Sequence, residues 1–196
     1  MPEPPKELVF QENKSFIFAH AAACPGCSRV LDESGLDADF VLVDRTFDVS
    51  VTHDGAVVVS DAFVSACADA PGVRFEPIAT EARHAVLRVD PIVRIEPFGS
   101  GVKAGPVCSE CGVSRYRIRR GPIHLDADEM VGPGFFRTDL LFGDTADFGP
   151  DRPVSMRPHY LVDSATGKAL KDASLIGVHL ITQPWGPGHD EQPPGS

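Results

Sequence analysis

What this chain lacks narrows it first. No apolar run approaches the roughly 18 residues that a membrane-spanning helix needs, so no membrane partner is expected. Basic residues are scarce: 18 Lys and Arg stand against 28 Asp and Glu, a formal net charge of −10. That balance repels a phosphate backbone, so nucleic acid is not an expected partner, whereas a basic protein would be steered towards the surface. The first residues, Met1-Pro2-Glu3-Pro4-Pro5, have neither the basic nor the apolar region of a secretory signal, and a reducing cytoplasm is the expected location. A Gly-x-Ser-x-Gly elbow, a His-Glu-x-x-His helix and the deaminase signature, in which a histidine motif precedes Pro-Cys-x-x-Cys, are all missing. His189-Asp190-Glu191 has the bare H-x-E form but follows the cysteines. Gly99-Ser100-Gly101-Val102-Lys103-Ala104-Gly105-Pro106 matches neither a Walker loop nor a dinucleotide fingerprint and reads as a linker. No catalytic residue is expected, and the chain reads as a non-enzyme.

Cysteine occurs five times, and four of the five fall in two short pairs, Cys24-Pro25-Gly26-Cys27 and Cys108-Ser109-Glu110-Cys111-Gly112. A C-x2-C turn aims two sulfurs at one point, and two such turns supply the four soft, tetrahedral ligands that zinc prefers. The expected site is one structural Zn2+ held by Cys24, Cys27, Cys108 and Cys111. The 80 residues from Ser28 to Val107 exceed the spacing of a compact finger, which makes the metal a long-range clip on a larger fold. Closing so long a loop is tolerable, because each doubling of length adds only about 0.6 kcal/mol. Two other readings use the same residues: a thiol-disulfide oxidoreductase acting through Cys24 and Cys27, and a zinc-ribbon nucleic-acid module, which the net charge disfavours. His20, four residues before Cys24, is not needed as a ligand because the cysteines complete a tetrahedral set.

With 196 residues the chain can bury a core without disulfide staples, and its 18 Gly and 18 Pro predict short elements joined by irregular loops. The expected fold is α+β, with mixed, mainly antiparallel sheets and few short helices, stapled by a four-cysteine, zinc-ribbon-like site. Residues 1–14, rich in proline and charge, read as a loose N-terminal arm. Residues 15–182 read as a single α+β domain, and 183–196 as a disordered tail with Trp185 its one anchor. Residues 15–23 read as a strand or a helix, and Phe40-Val41-Leu42-Val43-Asp44 and Ala56-Val57-Val58-Val59 as strands. Ser60 is placed to cap a helix from Asp61 to Ala70, which Pro71-Gly72 ends. In that helix Phe63, Val64, Cys67 and Ala68 form one stripe, so Cys67 belongs to the core and not to a nucleophilic site.

Residues 73–78, 85–89 and 92–95 read as antiparallel strands. Tyr116-Arg117-Ile118-Arg119-Arg120 reads as a charge-protected strand edge or a phosphate contact. The acids of Asp126-Ala127-Asp128-Glu129 lack the ligand spacing of a calcium loop, and the aromatic run from Phe135 to Phe142 suits a core. Residues 164–175 fit either a helix capped by Asp163 or a hairpin. Tyr160-Leu161-Val162-Asp163 echoes Val57-Val58-Val59-Ser60, and Gly177-Val178 echoes Gly72-Val73. Two similar halves, 15–98 and 99–182, would each carry a cysteine turn followed at a distance by strand, helix and strand.

The two distant cysteine pairs, followed by Phe135-Phe136-Arg137, a Tyr160-Leu161-Val162 strand and a Gly177-Val178 strand, resemble the double-CXXCG proteins of myxobacteria. That family includes immunity proteins of the swarming-inhibition toxins. The resemblance runs from Cys24 to Ile181, and the cysteine framework is its specific part. Ser28 stands where the family's first motif has glycine, and Val57-Val58-Val59-Ser60 lies between the cysteine pairs instead of after them. What the resemblance implies is a cytoplasmic protein that binds and neutralises a cognate toxin, with no active site of its own.

Overall fold

The computed structural model describes residues 4–13, 15–18, 23–33, 35–126, 129, 131–144 and 156–183. His20, Trp185 and His189-Asp190-Glu191 lie outside them. In chain order the elements are β1 (Lys6–Asn13), β2 (Val49–Thr52), β3 (Val57–Ser60), α1 (Asp61–Ala66), β4 (Val73–Pro77), β5 (His84–Val89) and β6 (Ile92–Val93). They continue with β7 (Val102–Ala104), β8 (Tyr116–Arg119), β9 (Phe135–Asp144), β10 (Arg157–Val162), α2 (Ser164–Asp172) and β11 (Val178–Thr182). The strands, mostly antiparallel, run in the order β4-β5-β3-β2-β1-β10-β9-β8-β7, with β11 added on β1 and β6 on β9. Sheet dominates and the helices are short, which defines an α+β fold.

Local chemistry sets the element ends. The β-branched run Val57-Val58-Val59 forms β3, and Ser60, held extended at φ −81 and ψ 167, accepts the Phe63 amide on its Oγ. Asp163 starts α2 in the same way, accepting the amides of Thr166 and Ala165. Residues 164–172 are therefore a helix and not a hairpin.

Both helices belong to a repeated unit. β3-α1-β4 and β10-α2-β11 share the order strand, capping residue, helix, glycine, strand, with Gly72 at φ +81 and Gly177 at φ +88. The partners repeat as well. Val59 pairs with Val49 of β2, as Val162 pairs with Phe135 of β9. Strand β5 lies between β3 and β4, while Lys6 to Phe10 of β1 pairs with β11 and Lys6 to Leu8 also with β10. Gln11 to Asn13 then run parallel to β2, as β6 runs parallel to β9. Each unit thus begins with a strand that completes the other unit's strand-helix-strand. The units are 6–77 and 84–182, so the division at 15–98 and 99–182 omitted the exchanged first strands.

The alternation of side chains along a strand distributes the core accordingly. Val57, Val59, Leu87, Phe135 and Val162 face a core shared by the two units. Val58 and Val86 face a second core with Phe18, Phe40 and Leu42, and Leu161 faces a third with Ile95, Ile123 and Phe136.

Several expectations need correction. Residues 6–13 are not a loose arm but β1, hydrogen-bonded to β2, β10 and β11. Their charges misled because Glu7 is buried among partners from distant parts of the chain. Residues 40–44 have the burial rhythm of a strand, Phe40 at 2 % and Leu42 at 1 % against Val41 at 62 % and Val43 at 67 %, yet they join no ladder. Their backbone is satisfied by side chains instead: the Leu42 amide donates to Glu81 Oε1 and the Val43 amide to Ser15 Oγ, each at 2.9 Å. Residues 15–18 are irregular, although Ile17 and Phe18 are buried. Helix α1 stops at Ala66, with Cys67 as its C-cap at φ −114. The glycine-rich stretch contains β7, which pairs with β8.

Candidate metal centre

The two cysteine turns are built alike. The Cys24 amide donates to the Arg29 carbonyl at 2.8 Å and the Ser28 amide to the Cys24 carbonyl at 2.7 Å. In the second turn the Cys108 amide donates to the Val113 carbonyl and the Gly112 amide to the Cys108 carbonyl, both at 2.9 Å. A bridge closes each turn, Ala23 with Val30 and Val107 with Ser114. The residue after the second cysteine is left-handed in both, Ser28 at φ 60 and Gly112 at φ 70. This backbone folds the chain back so that both sulfurs of a pair project to one side, and Ser28 tolerates the conformation that glycine adopts without steric cost.

The turns meet sulfur to sulfur. Cys24 Sγ lies 3.8 Å from Cys108 Sγ and Cys27 Sγ lies 3.7 Å from Cys111 Sγ, with all four within 4.8 Å of one another. A tetrahedron with metal-sulfur bonds of about 2.3 Å has edges of about 3.8 Å, so the set fits a four-coordinate thiolate metal. Cys24, Cys27 and Cys108 are buried and Cys111 is half-buried. Arg115 ties the turns together through a 3.2 Å hydrogen bond to the Gly26 carbonyl. The Cys108 thiol is drawn down to about 6, chiefly by the backbone amides of Cys111 and then Glu110, while burial and neighbouring thiols push Cys27 up to about 12. A cation at the centre would favour the thiolate form of every ligand. Four sulfurs would fill the coordination sphere of a tetrahedral metal.

The structure brings the four expected ligands together and keeps Cys67 apart. Cys67 is buried in the shared core, and burial raises its thiol to about 12. The basic patch on β8 is engaged internally: Arg117 donates to the Leu141 carbonyl at 3.0 Å and Arg119 to both carboxylate oxygens of Glu7 at 2.8 and 2.7 Å. Asp126 and Glu129 flank Arg94, at 3.9 and 2.6 Å.

Two polar features were not legible beforehand. Glu7, 2 % exposed, accepts from His159 Nδ1 at 2.6 Å and from Gln183 Nε2 at 2.6 Å besides Arg119. Burial pushes its carboxyl up, but the hydrogen bonds and charges of His159 and Arg119 outweigh this and hold it below the usual glutamate range. The other is a cavity of about 440 Å³ whose wall carries Arg29, Arg74, Arg88, Arg137 and Arg157. Strand register brings four of these arginines together, with Arg74 facing Arg88, and Arg29 joins them from the end of the first cysteine turn.

Fold and site together define an α+β protein, built from two strand-exchanged units, whose four-cysteine cluster can hold a metal ion. Among the described residues no helix is long and apolar enough to cross a membrane. No protein-family model, curated protein or solved structure matches the chain.

Proposed function

We propose that this chain is a zinc-stapled binding protein of the immunity type, which neutralises a cognate toxin in the cytoplasm by occluding it. The observation that carries the reading is the closed four-sulfur cluster joining Cys24 and Cys27 of one unit to Cys108 and Cys111 of the other. Zinc is the metal that four thiolates at these separations favour, and a reducing compartment keeps them available. A closed site makes the metal part of the scaffold and leaves function to the surface. The net charge of −10 suits a basic partner, and the resemblance to double-CXXCG proteins supplies the kind of partner, a toxin delivered by sibling cells.

The test has two arms. Protein purified without chelator should contain one zinc per chain by elemental analysis, and a preparation without stoichiometric metal would sink the staple. Co-expression with the product of the neighbouring gene should yield a complex and protect the host. Single acid-to-neutral substitutions on the surface should slow association and alter its salt dependence more than they abolish protection. A variant that still forms the full complex but no longer protects would replace occlusion with an enzymatic mechanism.

A further inference from the structure

This acidic chain gathers five of its 18 basic residues around one cavity of about 440 Å³. Arg74 and Arg88 face each other across β4 and β5, Arg137 stands opposite Tyr160 across β9 and β10, Arg157 begins β10, and Arg29 leaves the first cysteine turn. Two of the five are balanced. Arg74 makes a fork with Asp90 at 2.7 and 2.9 Å, and Arg88 binds Glu76 at 2.9 Å and the Glu33 carbonyl at 3.0 Å. The side chains of Arg29, Arg137 and Arg157 have no hydrogen bond or ion pair among the described residues. Glu33 is the one further carboxylate on the wall, so the cavity holds an excess of two positive charges.

Tyr160 adds a neutral donor to the wall. It lines the cavity and is 8 % exposed, yet its hydroxyl has no hydrogen-bond partner among the described residues. The hydroxyl is not enclosed, so it is free to donate to a ligand in the cavity. Burial raises this phenol to about 12, so it remains a donor at neutral pH.

The arginines also break the internal repeat. His179 pairs with Val9 where Arg74 pairs with Arg88, and Val51 pairs with Val57 where Arg137 pairs with Tyr160. In the second cysteine turn Val113 stands where the first has Arg29. The scaffold does not demand these charges, since its other copy folds without them.

We infer that this cavity binds a small organic phosphate, its phosphate held by Arg29, Arg137, Arg157 and the Tyr160 hydroxyl and its apolar body resting on Val30, Leu31, Leu141 and Pro158. An excess of two charges matches a phosphate monoester dianion better than a carboxylate. Guanidinium forks suit its oxygens, and the volume lies within the roughly 300–1,000 Å³ range of small-molecule sites. The overall negative charge keeps long polyanions away, while a concave positive wall still concentrates a small one. None of the four clustered cysteines lines the cavity, and the inference holds whether or not the chain meets a toxin.

Isothermal titration calorimetry of the metal-loaded protein at fixed ionic strength tests it, with phenyl phosphate, inorganic phosphate, benzoate and phenol as probes. Phenyl phosphate should bind about tenfold more tightly than inorganic phosphate or benzoate, and phenol not measurably. Arg137→Gln and Arg157→Gln should each weaken phenyl phosphate about tenfold, while Arg83→Gln, which does not line the cavity, leaves it unchanged. Melting temperatures without ligand separate lost binding from lost fold. Tyr160→Phe should weaken binding without altering the preference for phosphate over carboxylate. Equal affinity for every anion, or binding that both cavity variants leave intact, overturns the inference and marks an adventitious ion only.

Discussion

Gly72 and Gly177 occupy the same place in the two units and are fixed by the same contact. The Pro71 carbonyl, just before Gly72, accepts the Phe135 amide at 2.9 Å, and the Ile176 carbonyl, just before Gly177, accepts the amides of Asp48 at 2.8 Å and of Val49, the counterpart of Phe135, at 3.4 Å. Each unit therefore docks its turn on the first residues of the other unit's hairpin. A Cβ at Gly72 would sit 2.4 Å from the Phe135 carbonyl oxygen, and one at Gly177 would sit 2.6 Å from that of Val49. Left-handed backbone and steric overlap act together at both positions, so Gly72→Ala and Gly177→Ala should each cost at least about 2 kcal/mol. Urea denaturation measures it, and a large loss at only one position would contradict the equivalence of the units.

The cysteine turns separate backbone strain from ligation. A Cβ at Gly112 would meet nothing within 4 Å, so Gly112→Ala should cost only the left-handed penalty, about 1 kcal/mol, with metal retained. A Cβ at Gly26 would lie 3.0 Å from Cys108 Sγ and 2.8 Å from Glu110 Cγ. Gly26→Ala should therefore lower metal affinity, read by competition with a chromogenic chelator, more than Gly112→Ala does.

Cys67 and Cys108 should behave oppositely. Cys67→Ala removes a small buried side chain from the shared core, at a cost of about 1 kcal/mol, and leaves the metal bound. Cys108→Ser removes a ligand and should abolish stoichiometric metal and sharply lower the melting temperature, as a chelator should in the unmodified protein. Loss of metal from Cys67→Ala would show that the cysteines have been divided wrongly.

Glu7 links stability to acid pH. Its folded carboxyl lies below the ordinary value of 4.5, so its contribution is complete above that pH and is lost as the pH falls below it through the folded value. Glu7→Gln leaves Arg119 without its buried counter-charge and should cost about 3 kcal/mol at neutral pH. The variant should also show a shallower fall in stability below pH 4.5, measured by denaturant titration at several pH values. An unchanged acid slope would assign that sensitivity to other carboxylates.

The sequence by itself determined the local features. Ser60 announced a helix start because a cap needs only its own next turn, Asp163 left a helix and a hairpin both open, and each C-x2-C pair announced two sulfurs at one point because residues that close in sequence are already near in space. The echo between Val57-Val58-Val59-Ser60 and Tyr160-Leu161-Val162-Asp163 was legible for the same reason. Only the tertiary structure decided what depends on residues far apart. Lys6–Asn13 reads as a polar arm until Arg119, His159 and Gln183 satisfy Glu7 inside the sheet, and 40–44 reads as a strand until Glu81 and Ser15 take the hydrogen bonds a neighbouring strand would have made. The exchange of first strands, and with it the gathering of Arg74, Arg88, Arg137 and Arg157 on one wall, follows from register between strands. Register is set by how all the buried faces fit at once, and no single stretch of sequence carries that information.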